Sequence, residues 1–250
     1  HSWPGAASIF ADVDSPIALA FLERYPSPTD AKTLGPKRLA GFLARHRYSG
    51  RRSPAQLLQR LHQAPSVQLA DAEREARRAI VLSLVATLQP LLTQIRELTS
   101  AIAHALDAHP DGALFRSLFR DPTSSITAAT LLAEIGDSRN RYPTPDSLAA
   151  DAGQSPVTIE SGKHRHASFR RACDKRLRNA LNTLADSSRH TNPWAHDTYH
   201  RARQRGKDHP HAIRILGRAW TRIIWRCWHD HTTYDPTRHG NLQRLLASTG

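Results

Sequence analysis

A serine followed by a glycine, Ser161-Gly162, stands at the start of the most basic segment of the chain. A serine hydroxyl can attack a phosphodiester once its proton is removed, and nearby cations stabilise the charge that builds on the phosphoryl oxygens. The glycine leaves room beside the hydroxyl for a bulky phosphate. The alternative, on these residues alone, is a turn in a solvated basic surface. The candidate phosphate contacts are the cations that follow, Lys163, Arg165, Arg170, Arg171, Lys175, Arg176 and Arg178.

The positive charge is unevenly distributed along the chain. The formal net charge is +13 over 250 residues, and residues 160–226 contain 16 Lys and Arg against 5 Asp and Glu. Such a concentration predicts a polyanionic partner, most often nucleic acid. No apolar run is expected to reach the length that crosses a bilayer, and nothing resembles a lipid anchor. We therefore expect DNA or RNA as the partner and no membrane.

The ends and the cysteines of the chain indicate its compartment. No N-terminal segment has the pattern of a signal peptide. Cys173 and Cys227 lie far apart and form no disulfide framework. A cytoplasmic protein is predicted, associated with the nucleoid when it is bound to DNA. The chain begins His1-Ser2-Trp3 and contains no methionine, so we expect it to be a piece of a longer reading frame.

A second basic pattern lies near the C-terminus, where a helix is predicted from about Pro210 to His231. Its apolar residues, from Ile213 to Cys227, recur at helical spacing and predict one buried face. The arginines recur every four residues, which predicts a row along one side of the helix. Neighbouring arginines in such a row repel one another, and a bound polyanion would relieve this repulsion. A solvated face with scattered counter-ions is the alternative. The row consists of Arg214, Arg218, Arg222 and Arg226.

Aromatic and metal-ligating residues are the other candidates for chemistry. The tryptophans at 220, 225 and 228 fall on or beside the apolar face, which favours a core role over base stacking. His196 and His200 have the spacing of a metalloprotease motif, but Asp197 stands where that motif needs glutamate. His164 and His166 flank an arginine, a poor neighbour for a cation. We assign no metal ligands in this chain.

The elements that must position these residues are mainly α-helical. Short helices with proline at their starts are predicted over 1–66, and two more over 111–136. A helix restarts near Pro145, and the residues around Val157 and Ile159 allow only a very short strand. Further helices are expected at about 174–188 and 193–205, ahead of the arginine-bearing helix.

One long helical pattern covers about residues 67–108. Pro90 lies inside it and predicts a kink. The apolar residues alternate spacings of three and four over about three heptads, which predicts either a self-associating coiled coil or one buried stripe of a helical bundle. This heptad seam consists of Val81, Leu84, Leu88, Leu91, Ile95, Leu98, Ile102 and Ala105.

Several ordered segments resemble one protein family. These are "LLAEIGD", "SLAADAGQSPVTIESGK", "RLRNAL" and "YHRARQRGKDHPHAIRILGRAWTRIIWRCW", within residues 131–230. They are similar to the C-terminal serine domain of bacterial insertion-sequence transposases whose N-terminal domain is RuvC-like with a DEDD set, also called bridge-RNA-guided recombinases. "WPGAASIFADVDSPIALAFLERYPSPTDA" is similar to the middle region of that family.

The resemblance implies a DNA transposase or recombinase in which Ser161 is the nucleophile and forms a covalent 5′-phosphoserine link to DNA. It implies a homo-oligomer, a structured guide RNA, and a divalent metal (Mg) held by an acidic domain upstream, which Asp12, Asp14 and Asp30 do not match. On its own, the chain is expected to be inactive. The chain departs from the family's usual residues near Phe119–Pro122 and at Cys173-Asp174, where glycines are expected.

The same resemblance divides the chain into four parts. Residues 1–66 are a helical remnant of the region after the acidic domain, and 67–110 form the coiled-coil-like helix through which the oligomer is expected to assemble. Residues 111–235 are the serine transposase domain, and 236–250 form a tail. Two other functions stay open: a non-catalytic nucleic-acid-binding remnant of such a transposase, and a helical self-association module whose charge only aids solubility.

Overall fold

The computed structural model describes residues 3–65, 69–121, 124–161 and 164–249, with the side chains of 159, 161, 164–167 and 249 outside the description. Within these ranges the protein is mainly α, as predicted. Five helices form the N-terminal part: α1 (Pro4–Ser8), α2 (Pro16–Arg24), α3 (Pro36–Arg45), α4 (Pro54–Gln63) and α5 (Asp71–Ala108).

The C-terminal part contains seven further helices and one hairpin within the described residues. Its first elements are α6 (Gly112–Ser117), α7 (Ser125–Ile135), α8 (Pro145–Asp151), β1 (Val157–Ser161) and β2 (His164–Ser168). They are followed by α9 (Lys175–Thr191), α10 (Pro193–Gln204), α11 (His209–His229) and α12 (Gly240–Thr249). Single 3₁₀ turns occur at Arg139–Arg141 and Pro236–Arg238.

Serine caps followed by proline explain where several helices begin. Ser15 accepts a hydrogen bond from the backbone N–H of Ala18. Ser53 and Gln56 form a reciprocal capping box at the start of α4. In both cases proline occupies the first helical position, where its missing N–H costs nothing because that donor would be unpaired anyway. The predicted helix starts in this region are confirmed.

The chain divides into two compact units, residues 1–97 and 98–250. The core of the first unit is built from aromatic and aliphatic side chains of α1 to α4, with Phe21, Leu39 and Leu57 fully buried. The second unit has its own core, in which α11 packs against α8, α9 and α10. Everything that bears on the basic segment belongs to this second unit.

Tryptophans of α11 lie at the centre of the second core. Trp220 and Trp228 are fully buried, and the indole N–H of Trp220 donates to the hydroxyl of Ser188 at 2.9 Å. Trp225 is partly buried and donates to the carbonyl of Tyr142 at 2.8 Å. The prediction of a core role is confirmed for Trp220 and Trp228, and Trp225 packs against the same core while partly exposed. Their packing fixes how α11 presents its arginines.

A charged network fixes the end of α11 to the start of α6. The guanidinium of Arg139 donates to both carboxylate oxygens of Asp111, at 2.6 and 2.7 Å, and lies 4.7 Å from the centre of the Trp228 ring. A third bond runs from Arg139 to the carbonyl of Trp228 at 3.1 Å. The side chain of Asp111 is only 8% exposed. A two-pronged bond between buried ions is therefore part of the core.

The long helix α5 buries little of its apolar seam. The six seam residues from Leu84 to Ile102 are 38% to 63% exposed, whereas Val85 and Leu106, off the seam, are buried. The helix continues through Pro90 without a break. The interpretation of the seam as a buried stripe of a bundle is therefore wrong within this chain. An exposed apolar stripe of this length is typical of a surface that meets a partner.

The same helix corrects one sequence-based expectation. It contains an 18-residue window with a mean hydropathy of 1.4, long and apolar enough to cross a membrane by length and composition, of which 6% is buried. The expectation that no apolar run approaches this length was wrong because residues 79–95, between Arg78 and Arg96, contain no charged residue and only Ser, Thr and Gln as polar side chains. Seam residues nonetheless recur on one face only, which is the pattern of an amphipathic helix.

The Asp111–Arg139 pair predicts an acid-sensitive contribution to stability. The hydrogen bond from Arg139 lowers the pKa of Asp111 below its usual value of 3.8, against the opposing effect of burial. A lowered folded-state pKa gives stability that is present above 3.8 and lost as the pH falls through the folded value. We expect Asp111→Asn to reduce the free energy of unfolding by about 3 kcal/mol at neutral pH, and by less in acid.

Chemical denaturation of both proteins across the acidic range would measure this difference. Asp137→Asn is the matched control because the Asp137 side chain is 74% exposed. A destabilisation by Asp111→Asn that is the same in acid as at neutral pH would contradict the assignment.

Candidate nucleic-acid interface

The segment that carries Ser161 is a β-hairpin. Strands β1 and β2 pair antiparallel, with Ser161 opposite His164 at one end and Val157 opposite Ser168 at the other. The sequence predicted only a very short strand here, and that prediction was wrong in extent. Backbone pairing places Ser161 at the last residue of β1. Gly162 and Lys163 lie outside the described residues, as do the side chains of Ser161 and Arg165.

Helix α9 begins shortly after the hairpin and carries three of the predicted cations. Asp174 caps it: one carboxylate oxygen accepts from the backbone N–H groups of Arg176 at 2.8 Å and Leu177 at 2.9 Å. Its own N–H donates to the carbonyl of Asp151 at 2.8 Å. Aspartate is among the best N-cap residues, so this departure from the resembled family preserves the start of the helix.

A cleft of about 640 Å³ lies beside the base of the hairpin. It is bounded by the residues after α8, the end of β2, and the first turns of α11. The volume is within the range of sites that hold small organic ligands or parts of larger ones. Five of its lining side chains are basic or potentially so: Arg170, Arg205, His211, Arg214 and Arg218.

An exposed aromatic ring lies at the edge of this cleft. Phe169 follows β2 directly and is 44% exposed. The guanidinium carbon of Arg214 lies 4.9 Å from the centre of its ring, and that of Arg178 lies 5.4 Å away. Cations at such distances are attracted by the ring electrons. Sequence reasoning missed Phe169, although its place between Ser168 and Arg170, outside any apolar periodicity, was a usable signal.

Three polar atoms at the cleft are buried without a hydrogen-bond partner within the described part of the chain. They are Oε1 of Gln154, Oγ of Ser155 and Nε of Arg218. Gln154 donates its amide N–H to Asn182 at 3.1 Å. A β-carbon added to Gly217 would lie 2.7 Å from Gln154 Oε1, so the glycine lets this amide lie against α11. Unpaired buried polar atoms are uncommon in folded proteins and mark a place where a ligand or water completes the bonding.

The four arginines of α11 line two clefts, two in each. Arg214 and Arg218 line the cleft beside Phe169, whereas Arg222 and Arg226 line a separate cleft of about 410 Å³ near the end of α11. A four-residue step exceeds one helical turn, so each successive arginine is rotated by about 40° around the helix axis.

Carboxylates compensate part of this charge. Arg218 donates to Asp146 at 3.2 Å, and Arg226 pairs with Asp230 at 2.5 Å. Arg176 of α9 pairs with Glu134 at 3.0 Å. Arg170 donates to the carbonyl of Ser155 at 3.3 Å. Arg171 and Lys175, in contrast, are exposed.

Metal-ligating groups come together at one place within the described residues. His109, Asp111 and Asp137 have ligand atoms within 4.8 Å of one another. Both oxygens of Asp111 already accept from Arg139, and Mg²⁺ requires near-octahedral oxygen coordination, so this cluster does not fit a magnesium site. The rings of His196 and His200 lie 4.1 Å apart, and Asp197 pairs with Arg201. Both cysteines are free.

Comparison with known proteins places these elements in context. Residues 123–200 match the model of the Transposase IS116/IS110/IS902 family. This range covers all of α7 and α8, the hairpin with Ser161, all of α9 and the first part of α10. It therefore includes the candidate nucleophile and the cations of residues 163–178.

The relatives of the chain extend the similarity beyond this range. The 43.6 kDa protein of insertion element IS110 from Streptomyces coelicolor is 30% identical over 217 residues, 86% of this chain and 52% of that protein. The 42 kDa protein of insertion element IS900 from Mycobacterium paratuberculosis is 27% identical over 226 residues, 88% of this chain and 54% of that protein. The chain thus spans about half the length of the curated relatives it matches.

The two arginine pairs predict two separately measurable contributions to DNA affinity. Each phosphate contact contributes roughly 0.9 to the slope of log affinity against log salt on duplex DNA. If each pair contacts phosphate, Arg214→Gln with Arg218→Gln, and separately Arg222→Gln with Arg226→Gln, should lower both the affinity and the slope. Fluorescence anisotropy over a salt series measures both quantities.

Arg51→Gln with Arg52→Gln is the matched control, because these two arginines are exposed and lie in the other unit. Circular dichroism would verify that Arg218→Gln, which loses a bond to Asp146, remains folded. Wild-type binding that does not depend on salt would contradict an electrostatic interface.

Proposed function

We propose that this chain is the DNA-cleaving serine portion of an insertion-sequence transposase. The observation that carries the proposal is the family match over residues 123–200, which contains a Ser-Gly step within the most basic segment of the chain. The hairpin, the capped α9 and the arginine-lined cleft support it by supplying cations close to Ser161 in the chain. A transposase acts on DNA, so DNA is the proposed substrate.

The proposed step is a transfer of one phosphodiester linkage to Ser161. The hydroxyl oxygen attacks phosphorus, and the new Oγ–P bond forms as the bond from phosphorus to the 3′ oxygen breaks. The serine proton leaves Oγ, and the departing 3′ oxygen takes up a proton. The products are a free 3′-hydroxyl and a strand whose 5′ phosphate is joined to serine. Because the phosphoester bond is conserved, the link can be resealed without an external energy source.

The basic residues of the second unit are proposed to bind the DNA and to stabilise charge. Arg171 and Lys175 are exposed and available for phosphate, and Lys163 and Arg165 are neighbours of Ser161 in sequence. Cations held near the reacting phosphoryl group stabilise the negative charge that develops there. Arg176, Arg178 and Arg170 would then position the strand along α9 and the hairpin base.

The resemblance implies two further components of the proposed function, a divalent metal and a structured RNA. A divalent metal (Mg) would be held by an acidic domain rather than by the described residues of this chain, so no step is assigned to it here. A structured RNA would select the DNA. A cytoplasmic location with association to the nucleoid belongs to the same proposal.

Self-association through α5 is a further part of the proposed function. The seam residues are exposed along about three heptads, and a second copy of the helix is the partner with the same period. Family members are expected to act as oligomers, which requires a surface of this kind. The seam would then be buried between copies rather than against the chain itself.

Breaking the seam tests this part. Leu98 is 63% exposed, so Leu98→Asp should leave the fold of one copy intact while placing a charge inside the dimer. We expect the sedimentation coefficient to fall to the monomer value with helical content retained. The matched control is Ser100→Asp, on the opposite side of the same helix.

Two outcomes would contradict self-association. One is an unchanged sedimentation coefficient for Leu98→Asp. The other is flotation of the wild-type chain with phospholipid vesicles and no concentration-dependent association in solution, which would favour a membrane partner for the apolar window.

A non-catalytic nucleic-acid-binding remnant is the second candidate. It is favoured by the departure from the family's usual residues near Phe119–Pro122, where a glycine-containing turn is expected. Such a remnant would bind DNA with the same salt dependence and form no covalent link.

Replacing the nucleophile separates the two candidates. In a protein that joins this chain to an acidic domain of a relative, with DNA of the element end, RNA and Mg²⁺, Ser161→Ala should abolish strand cleavage. DNA affinity should be nearly unchanged, because a hydroxyl contributes little beside many charged contacts. Denaturing gels would detect both cleavage and protein-linked DNA.

Ser100→Ala serves as the control, since this exposed serine of α5 has no glycine after it. Full cleavage by the Ser161→Ala protein would show that the Ser-Gly step is only a turn in a basic surface.

A further inference from the structure

Phe169 is unusual among the exposed apolar side chains. Within the part of the chain that the structure describes, it is the one aromatic residue among the large apolar side chains that are well exposed. Two arginines, Arg170 and Arg171, follow it in sequence. An aromatic ring that served the core would be buried like Phe115 or Trp220. Its exposure within a basic surface indicates a ligand with both an apolar face and negative charge.

The surroundings of Phe169 supply the complementary charges. Arg214 and Arg178 lie against the ring, at 4.9 and 5.4 Å from its centre. The cleft beside it is lined by Arg170, Arg205 and other basic side chains of the second unit. Aromatic rings and guanidinium planes are the two surfaces on which nucleobases stack in single-strand-binding proteins, and adjacent cations bind the backbone.

We propose that Phe169, together with Arg178 and Arg214, forms a stacking platform for an unpaired base of a DNA strand, whose phosphates are bound in the adjoining cleft. This inference rests on the proposed function, because it assigns a place to the strand that Ser161 cleaves. Base stacking explains why a phenylalanine is exposed among cations, which phosphate contacts alone do not.

The platform requires an unpaired base rather than a duplex. In a duplex each base face is covered by its neighbours, so an outside ring can reach sugar, phosphate and base edges but cannot stack on a base. The cleft volume of about 640 Å³ is large enough to hold an extruded nucleotide.

The position along the hairpin connects the platform to the candidate nucleophile. Phe169 follows Ser168, which pairs with Val157, and Ser161 is four residues further along β1. At about 3.3 Å per residue, the two ends of the hairpin are separated by about 13 Å along the strand. A base on Phe169 would therefore belong to a nucleotide only a few positions from a phosphodiester at Ser161, where a strand must be opened to be exchanged.

Substitution of Phe169 in the full chain tests the platform. Fluorescence anisotropy would compare a single-stranded DNA oligomer, a duplex of the same length and single-stranded RNA of the same sequence. Loss of one stacked base lowers affinity by about 5- to 150-fold. We expect Phe169→Ala to lower the affinity for single-stranded DNA within this range and to leave duplex affinity unchanged.

Three comparisons make the test specific to stacking. Phe169→Trp, which keeps a π surface, should restore single-strand binding, and Phe169→Leu, which is apolar without one, should not. Leu246→Ala is the matched control, because Leu246 is similarly exposed on α12. A 2-aminopurine base in the oligomer should be quenched on binding to the wild-type chain and not to Phe169→Ala.

Other results would overturn the inference. They are single-strand affinity unchanged by Phe169→Ala, equal losses on single strand and duplex, full restoration by Phe169→Leu, or a loss confined to RNA. Failure of the proposed function would look different. A wild-type chain that binds no DNA would contradict both the proposed function and the stacking platform. A chain that binds single-stranded DNA through Phe169 but forms no covalent link at Ser161 would contradict only the proposed function.

Discussion

Electrostatic repulsion among the cations of residues 160–226 is the constraint that shapes the second unit. This segment contains 16 basic residues and only 5 acidic ones. The carboxylates that pair with Arg176, Arg218 and Arg226 all come from outside it, from α7, α8 and the end of α11. These pairs are partly exposed, so each contributes little to stability. The remaining positive charge is left for a polyanion to neutralise.

A rigid core makes that charge usable. Trp220 and Trp228 are fully buried, and Arg139 holds the end of α11 by bonds to Asp111 and to the carbonyl of Trp228. Arg214 and Arg218 are consequently presented to the cleft from a fixed helix rather than from a loop. A site on a rigid element keeps its geometry when a charged ligand binds, and this favours directed contacts over a diffuse attraction.

Much of the helical framework was predictable from the sequence because its signals are local. Serine caps before proline mark helix starts, and the apolar period of α11 marks its buried tryptophans. The hairpin was less predictable, since β2 reads His164-Arg165-His166 and lacks apolar alternation; it exists through pairing with β1. Helix α5 shows the same limit of sequence reasoning. Its periodicity predicts an apolar seam, but only the structure shows that no other part of the described chain covers most of that seam.

The candidate site divides in the same way. Residue types and the Ser-Gly step indicated where phosphate chemistry belongs. The four-residue spacing of the α11 arginines predicts how far each is rotated around the helix axis, but not which cleft it lines. The placement of the Phe169 ring against Arg178 and Arg214 could not be predicted, because it depends on how α9, α11 and the hairpin meet in three dimensions.

The central claim is that Ser161 becomes covalently joined to DNA, and peptide mapping tests it most directly. DNA-linked protein would be isolated after reaction in the presence of an acidic domain, digested with nuclease and trypsin, and fragmented by mass spectrometry. The account predicts a nucleotide attached at Ser161 within the peptide from Tyr142 to Lys163, with Ser147 and Ser155 of the same peptide unmodified. Attachment at either of those serines, or at a residue outside this peptide, would contradict it.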